Sequence, residues 1–321
     1  MLRGVIYALL AGLMWGLIFI GPLLIPDYPA LLLSTGRYLA LGIIAIPLAW
    51  AGRQRLLQLS RRDWLVALRL SVVGNLIYYL CLAAAIQRTG APIATIIIGT
   101  LPVVLPVFAN LLYGRQDGQL PWRRLALPLL LLGIGVILVN IAELRGNELD
   151  LADGRYLSGI LLALAAVVCW TVYALQNARW LRNNPDKNPL MWATAQGLVI
   201  LPLSLLGYAV ACIWLHQSSG FSVPLGPQPW HFIGVMLALA VFCSWIGALC
   251  WNQASQLLPT VILGPLIVFE SLAGMLYTFL LRQAWPPLPT LGGILCLILG
   301  VVLAVQARPK APKTRVVRAV R

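Results

Sequence analysis

Two charged side chains lie inside long apolar stretches of this chain, and both could do chemistry there. Glu270 sits in Pro259–Leu281, PTVILGPLIVFESLAGMLYTFLL, eleven residues from either end and with no other charge in the stretch. A carboxylate at mid-bilayer depth costs about 2.5–3.5 kcal/mol even on lenient scales, so it marks a functional site by default. Arg37 lies about eight residues into Ala30–Ala51. At ~1.5 Å rise per residue, it is roughly 12 Å and Glu270 roughly 16 Å from the same face, within reach of an arginine side chain. A carboxyl removed from water favours its protonated form, and a nearby cation opposes this. A change in that neighbourhood can therefore couple proton and substrate movement. Each residue also has a plainer reading. Arg37 can bond backbone carbonyls or snorkel to the outer face, and Glu270 can be a buried structural partner. Otherwise Arg37 meets a substrate carboxylate or Glu270 across a cavity. On its helix Glu270 shares a stripe with Gly274 and Tyr277.

Other residue types gather around this pair. Gly264 and Pro265 just precede Glu270, where proline removes a helix hydrogen bond; with Pro102 in the matching first-half region they are the candidate hinges. Irregular backbone at that depth is tolerated only inside protein or along a cavity. Trp15, Trp170, Tyr173, Tyr78, Tyr79, Trp245 and Trp251 lie deep in apolar stretches. They read either as helix packing or as a cavity wall that stacks on planar or cationic groups. Trp64, Trp122, Trp180, Trp230 and Trp285 fall near span ends and read as interfacial anchors. Asn75, Asn110, Gln176, Asn177, Gln196, Asn252 and Gln253 read as helix bridges, with Asn75 and Asn252 as candidate cavity donors. His216 and His231 flank one loop without a third metal ligand at a suitable spacing. The six cysteines show neither metal nor disulfide spacing and read as small buried hydrophobes. No cofactor is expected.

Composition explains what must position these groups. Of 321 residues, 60% are hydrophobic and 10% charged, against about 25% charged in soluble domains. Apolar runs of ~20 residues indicate an all-α integral membrane protein. Ten spans are expected: Gly4–Leu24, Ala30–Ala51, Trp64–Gln87, Pro92–Gly114, Trp122–Ala142, Tyr156–Trp180, Leu190–Leu215, Trp230–Leu257, Pro259–Leu281 and Leu288–Ala307. The first is too long for the apolar core of a cleaved signal and reads as a retained span. With the N-terminus inside, seventeen Lys and Arg fall at inner loops and tail and four at outer loops. That bias puts both termini in the cytoplasm. The net charge of +14 is thus orientation and lipid-surface charge rather than a nucleic-acid footprint.

The chain also repeats. Gly4, Ala8, Ala11 and Trp15 recur as Gly159, Ala163, Ala166 and Trp170 at a spacing of 155. Pro92 and Arg115–Gln116 recur as Pro259 and Arg282–Gln283 at a spacing of 167. Five spans per half is odd, so the halves, residues 1–145 and 156–307, enter from opposite sides as two inverted five-helix repeats. A basic tail, 308–321, follows. At the 167 spacing, the first-half counterpart of Glu270 is Val103.

With this plan the chain resembles the drug/metabolite transporter superfamily, specifically the EamA-type ten-helix transporters, from Gly4 to about Ala307. The carrying residues are the small-residue first span ending near Trp15 and its repeat ending near Trp170, Arg37, and the proline-opened fourth and ninth spans. The family commonly closes those two spans with Gly–Glu; this chain has Gly114–Arg115 and Leu281–Arg282. The resemblance implies small-metabolite export by alternating access.

The expected function is export of amino acids or related small metabolites across a bacterial inner membrane, with protons as the candidate coupling ion. A multidrug exporter of lipophilic cations is the alternative. A non-transporting scaffold or sensor is the third reading. There is no Walker motif, H-E-x-x-H or G-x-S-x-G, so the protein is not expected to be an enzyme. Its partners are a small-molecule substrate and membrane lipid, with no nucleic acid, as a monomer or homodimer.

Overall fold

Helix starts follow local chemistry. Pro29 and Pro259 immediately precede Ala30–Ala51 and Thr260–Leu266, while Pro189 and Pro229 open Pro189–Ser219 and Pro229–Ala238. Proline there gives up an N–H that the helix would leave unused. Before Arg61–Ser71, Ser60 and Asp63 cap each other: Asp63 N donates to Ser60 Oγ at 3.2 Å and Ser60 N to Asp63 Oδ2 at 2.9 Å.

The computed structural model describes residues 1–89, 91–117, 121–145, 154–219, 221–283 and 285–306. The acidic segment 146–153 and the basic tail 308–321 lie outside the described residues, as do the side chains of Pro92, Arg115, Glu143, Arg145 and Arg282. The described residues form an all-α, multi-pass fold. Nine of their helices are long and apolar enough to cross a membrane, and Leu101–Leu112 is a shorter apolar helix.

That shorter helix has a physical cause. The fourth span is broken at Gly99–Thr100 into Ala91–Ile98 and Leu101–Asp117. The ninth is broken at Ile267 into Thr260–Leu266 and Val268–Arg282. The helices after the two breaks, beginning at Leu101 and Val268, start 167 residues apart. Pro265 stands inside Thr260–Leu266, just ahead of the break, and Gly264 is where Pro106 of the fourth span crosses. Pro102 is the second residue of its helix, where proline is tolerated, so it kinks nothing there.

Two further irregularities are paired. In the third span, π-helical Val72–Ile77 separates Arg61–Ser71 from Tyr78–Thr89. In the eighth, π-helical Leu239–Gly247 separates Pro229–Ala238 from Ala248–Leu257, and the two π segments also begin 167 residues apart. Such segments are uncommon and concentrate at functional sites.

Packing follows a pattern that exchanges the halves. The second span packs on the seventh, the fourth on the ninth and the fifth on the tenth. The third packs on the sixth as the eighth packs on the first. Small residues permit the close crossings. A Cβ on Gly12 would lie 2.7 Å from Phe269 Cβ, and one on Gly16 2.6 Å from Ala273 Cβ. The stripe Gly4, Ala8, Ala11, Gly12 and Gly16 on helix Leu2–Gly16 therefore lets the first span lie directly against the backbone of Glu270.

Candidate functional site

The ninth-span break and both π segments converge on one narrow cavity. It is lined by Trp15 and Ile18, Arg37 and Tyr38, Gly74, Asn75 and Tyr78, Trp170 and Tyr173, Cys243, Ser244 and Ala248, and Glu270. Six spans contribute, three from each half. The free space is about 30 Å³, room for a water or two and far below the ~300 Å³ of a ligand pocket. The conformation is thus closed around its polar groups.

Local structure explains why each group points inward. Glu270 falls in the first turn of Val268–Arg282, a position at which a helix accommodates an acidic side chain. It is 3% exposed, and its Oε1 has no hydrogen-bond partner. Arg37 is 4% exposed; its Nε donates to Ser244 Oγ at 2.8 Å, while Nη1 has no partner. The guanidinium lies 4.6 Å from the Tyr79 ring centroid and 5.1 Å from that of Tyr38. Such cation–π contacts are worth about 0.5–2 kcal/mol each. Among the described residues, neither Arg37 nor Glu270 forms an ion pair. The tyrosines and Ser244 hold the arginine in place without neutralising it.

The aromatic wall is braced from behind. The Trp15 indole N–H donates to Cys243 O at 2.8 Å, and the Cys243 thiol donates to Met14 O at 3.0 Å. These reciprocal bonds pin the first span to the π segment of the eighth. Trp15 meets Trp170 edge-on at 5.1 Å, and Trp170 stacks on Tyr173 at 5.0 Å. Gly74 faces the Tyr173 ring, where a Cβ would not fit. The Trp170 indole N–H and the Tyr78 hydroxyl are buried without partners. Each such group costs about 1–3 kcal/mol when left unmade, so the cavity concentrates unmet bonding capacity.

Beyond Tyr173 lies an amide network. The Asn177 amide N–H donates to Asn252 Oδ1 at 2.8 Å, while its Oδ1 accepts from Trp192 Nε1 at 2.7 Å and Gln196 Nε2 at 3.0 Å. The Tyr173 hydroxyl donates to Gln196 Oε1 at 3.3 Å. At the other end of the bundle the Tyr28 ring stacks on Phe232 at 4.6 Å, and its hydroxyl donates to Leu225 O at 2.8 Å while accepting from Gln228 N at 3.0 Å. Gly226, at φ 74°, makes the turn beneath that ring. The segment before the eighth span is thereby latched over the second.

Of the residues singled out from sequence, Glu270, Arg37, Trp15, Trp170, Tyr78, Tyr173 and Asn75 line the cavity together. Tyr79 lies beneath Arg37 instead, and Trp251 packs behind the wall, 5.2 Å from Trp15 and 5.8 Å from Trp170. Asn252 belongs to the amide network. Tyr277 lies outside the lining, its hydroxyl donating to Leu13 O at 3.0 Å. Trp180, read as an interfacial anchor, instead stacks on Trp192 with centroids 3.4 Å apart and donates to Asp63 Oδ1 at 3.2 Å. Tyr38, Gly74, Cys243 and Ser244 were not anticipated. Tyr38 adjoins Arg37 in sequence, which was a usable signal; the others come from the π segments, which sequence pattern does not reveal.

Comparisons with known proteins agree with this architecture. The profile of the EamA-like transporter family matches twice, over residues 2–141 and 157–306. The Inner membrane protein YtfF of Escherichia coli (strain K12) is 68% identical over 315 residues, covering 98% of each chain. A crystal structure superposes with a TM-score of 0.72 over 95% of this chain and 97% of that one, at 19% identity, a likeness of fold.

Proposed function

Because the chain belongs to the EamA-like transporter family, a transporter rather than a catalytic fold, we propose that it exports small zwitterionic metabolites, amino acids or close relatives. The observation that carries this reading is Glu270 Oε1 and Arg37 Nη1, both without a hydrogen-bond partner, on one closed aromatic cavity. An ammonium group suits Glu270 and the aromatic faces; a carboxylate suits the arginine. Oε1 and Nη1 each keep a hydrogen bond to offer, so a substrate bearing both charges would gain at both atoms.

The path is alternating access between two inverted five-helix repeats, residues 1–145 and 156–307, with ten spans and a basic tail, 308–321. The matched breaks, matched π segments and half-exchanging pairings support it. Glu270 is the proposed proton-coupling group. It would take a proton when substrate and Arg37 leave its neighbourhood and release it when they return. Gly264 and Pro265 remain the proposed hinge of the ninth span; in the fourth span that role passes from Pro102 to the break at Gly99–Thr100 just before it. The proposed location is the bacterial inner membrane, as the name of the Escherichia coli relative suggests, with both termini cytoplasmic as the arginine distribution favours. A monomer is sufficient for this mechanism.

A second reading, efflux of lipophilic cations, is favoured by the aromatic wall around Glu270. Arg37 on the same cavity opposes it. Proteoliposomes decide between them. Outward flux of radiolabelled neutral amino acids under a proton gradient is expected, with little flux of a quaternary ammonium dye. The opposite selectivity, or no flux of either class by correctly folded protein, overturns the proposal.

A further inference from the structure

A second recess, lined by none of the central cavity's residues, lies toward the arginine-rich end of the bundle. Its position follows from how the third and sixth spans diverge. At their far ends the helices touch: Gly159 sits against Thr89 and Arg88, and Arg88 Nη1 donates to Ser158 Oγ at 3.3 Å. Midway, Gly74 receives the Tyr173 ring. Past that point the helices separate around a cleft of about 620 Å³, within the ~300–1,000 Å³ range of small-ligand sites.

The lining is polar and one-sided in charge. Arg62 and Arg69 approach from the third span, and Gln176, Arg179 and Asn183 from the sixth. Arg69 Nη2 donates to Gln176 Oε1 at 2.7 Å, which orients that guanidinium across the opening. Arg62 makes no hydrogen bond or ion pair with the described residues. The one acid in the lining is Asp63, and it is already engaged. Its Oδ2 accepts from Ser60 N and Ser60 Oγ at 2.9 and 2.8 Å, and its Oδ1 accepts from Trp180 at 3.2 Å. Arg62 and Arg69 line the cleft without an ion pair to this carboxylate among the described residues.

We propose that this cleft between the third and sixth spans is an anion site that takes a phosphate-bearing group. Forked guanidiniums suit the tetrahedral oxygens of phosphate, and flanking amides supply neutral donors. The phosphate belongs either to a small soluble solute or to a lipid headgroup, since the recess opens at the end of the spans. The inference does not depend on the transport reading, because binding is measured without flux.

Full-length protein in phosphatidylcholine nanodiscs, titrated calorimetrically with inorganic phosphate at low salt, is expected to show saturable one-site binding. Arg62→Gln together with Arg69→Gln should weaken it at least about tenfold, and raised salt should weaken it further. The control pair Arg53→Gln and Arg55→Gln, basic residues near the same end but outside the cleft, should leave it unchanged. Arg62→Gln alone, which removes no bond to the described residues, keeps the test valid if the double variant does not fold. Loss of the phosphate signal when phosphatidylglycerol is added to the discs, with that lipid retained by wild type and released by the double variant, supports the site and assigns it to a headgroup. Saturable phosphate binding indifferent to phosphatidylglycerol supports it as a solute site. Absence of saturable binding by either anion, or equal weakening by the cleft and control pairs, overturns it.

Discussion

The broken fourth and ninth spans share a backbone and differ in chemistry. Thr100 N donates to Ile97 O at 3.1 Å and Ile267 N to Gly264 O at 3.2 Å; one turn on, Val103 N donates to Thr100 O at 2.9 Å and Glu270 N to Ile267 O at 3.0 Å. The same tight turn is made twice, 167 residues apart, and it delivers valine in one half and glutamate in the other. Glu270 lines the central cavity, whereas Val103 is partly buried against the hydrophobic core. The turn is therefore a matter of architecture, serving to bend a helix at mid-depth. Charge is added where the cavity lies. A doubled turn with an undoubled acid thus puts this charge in one half of the chain alone.

The sharpest way to break this comparison is Glu270→Gln. Export should fall about 30- to 100-fold, the rate equivalent of about 2–3 kcal/mol lost at one charged contact, while expression and thermal melting stay near wild type. Wild-type flux with unchanged pH dependence would remove the coupling role. Next is the transplant: Val103→Glu in the Glu270→Gln background should leave flux at the level of Glu270→Gln alone, because position 103 does not open onto the cavity. Restored flux would show that the halves are interchangeable after all. Arg37→Ala should lower flux of carboxylate substrates about tenfold, a loss of about 1.4 kcal/mol at a charged hydrogen bond, with less effect on cations lacking a carboxylate. Equal loss for both classes favours a structural arginine. The smallest effect concerns the crossing itself. Gly264→Leu must displace Pro106, since a Cβ there would lie 2.7 Å from its Cδ, and should cost about 1–3 kcal/mol of stability by thermal or denaturant unfolding. Ile97→Leu, at the counterpart position, should cost less than about 1.5 kcal/mol. Equal costs would mean that the two crossings are packed alike.

Much of the architecture was legible because membrane spans advertise themselves through length and hydropathy. Pro189–Ser219 and Leu288–Gln306 begin within one residue of their expected starts. The breaks were harder to read. Pro265 announced irregularity in the ninth span, yet the bend falls at Ile267, and in the fourth span Gly99–Thr100 bends without a proline at the break. Within the candidate site, charge was legible and neighbours were not. Arg37 and Glu270 were conspicuous for being charged in apolar surroundings. Ser244, which holds Arg37, resembles any other small polar residue in a span. The π segments left no compositional trace, so the residues they turn inward could not be anticipated. Tyr277 and Asn252 fall outside the lining for a simpler reason: Tyr277 shares the Glu270 face but lies roughly 10 Å further along the same α-helix, and Asn252, beside Trp251, belongs to the amide network instead.

The π segments have a consequence of their own. The wider turns at Val72–Ile77 and Leu239–Gly247 each accommodate surplus chain inside a ladder that is still hydrogen-bonded. A surplus of this kind can pass along a helix by trading one set of backbone partners for another, re-aiming each side chain it passes by about a third of a revolution. The third and eighth spans therefore each carry a displaceable turn beside one chamber, and shifting it would not require unwinding either helix.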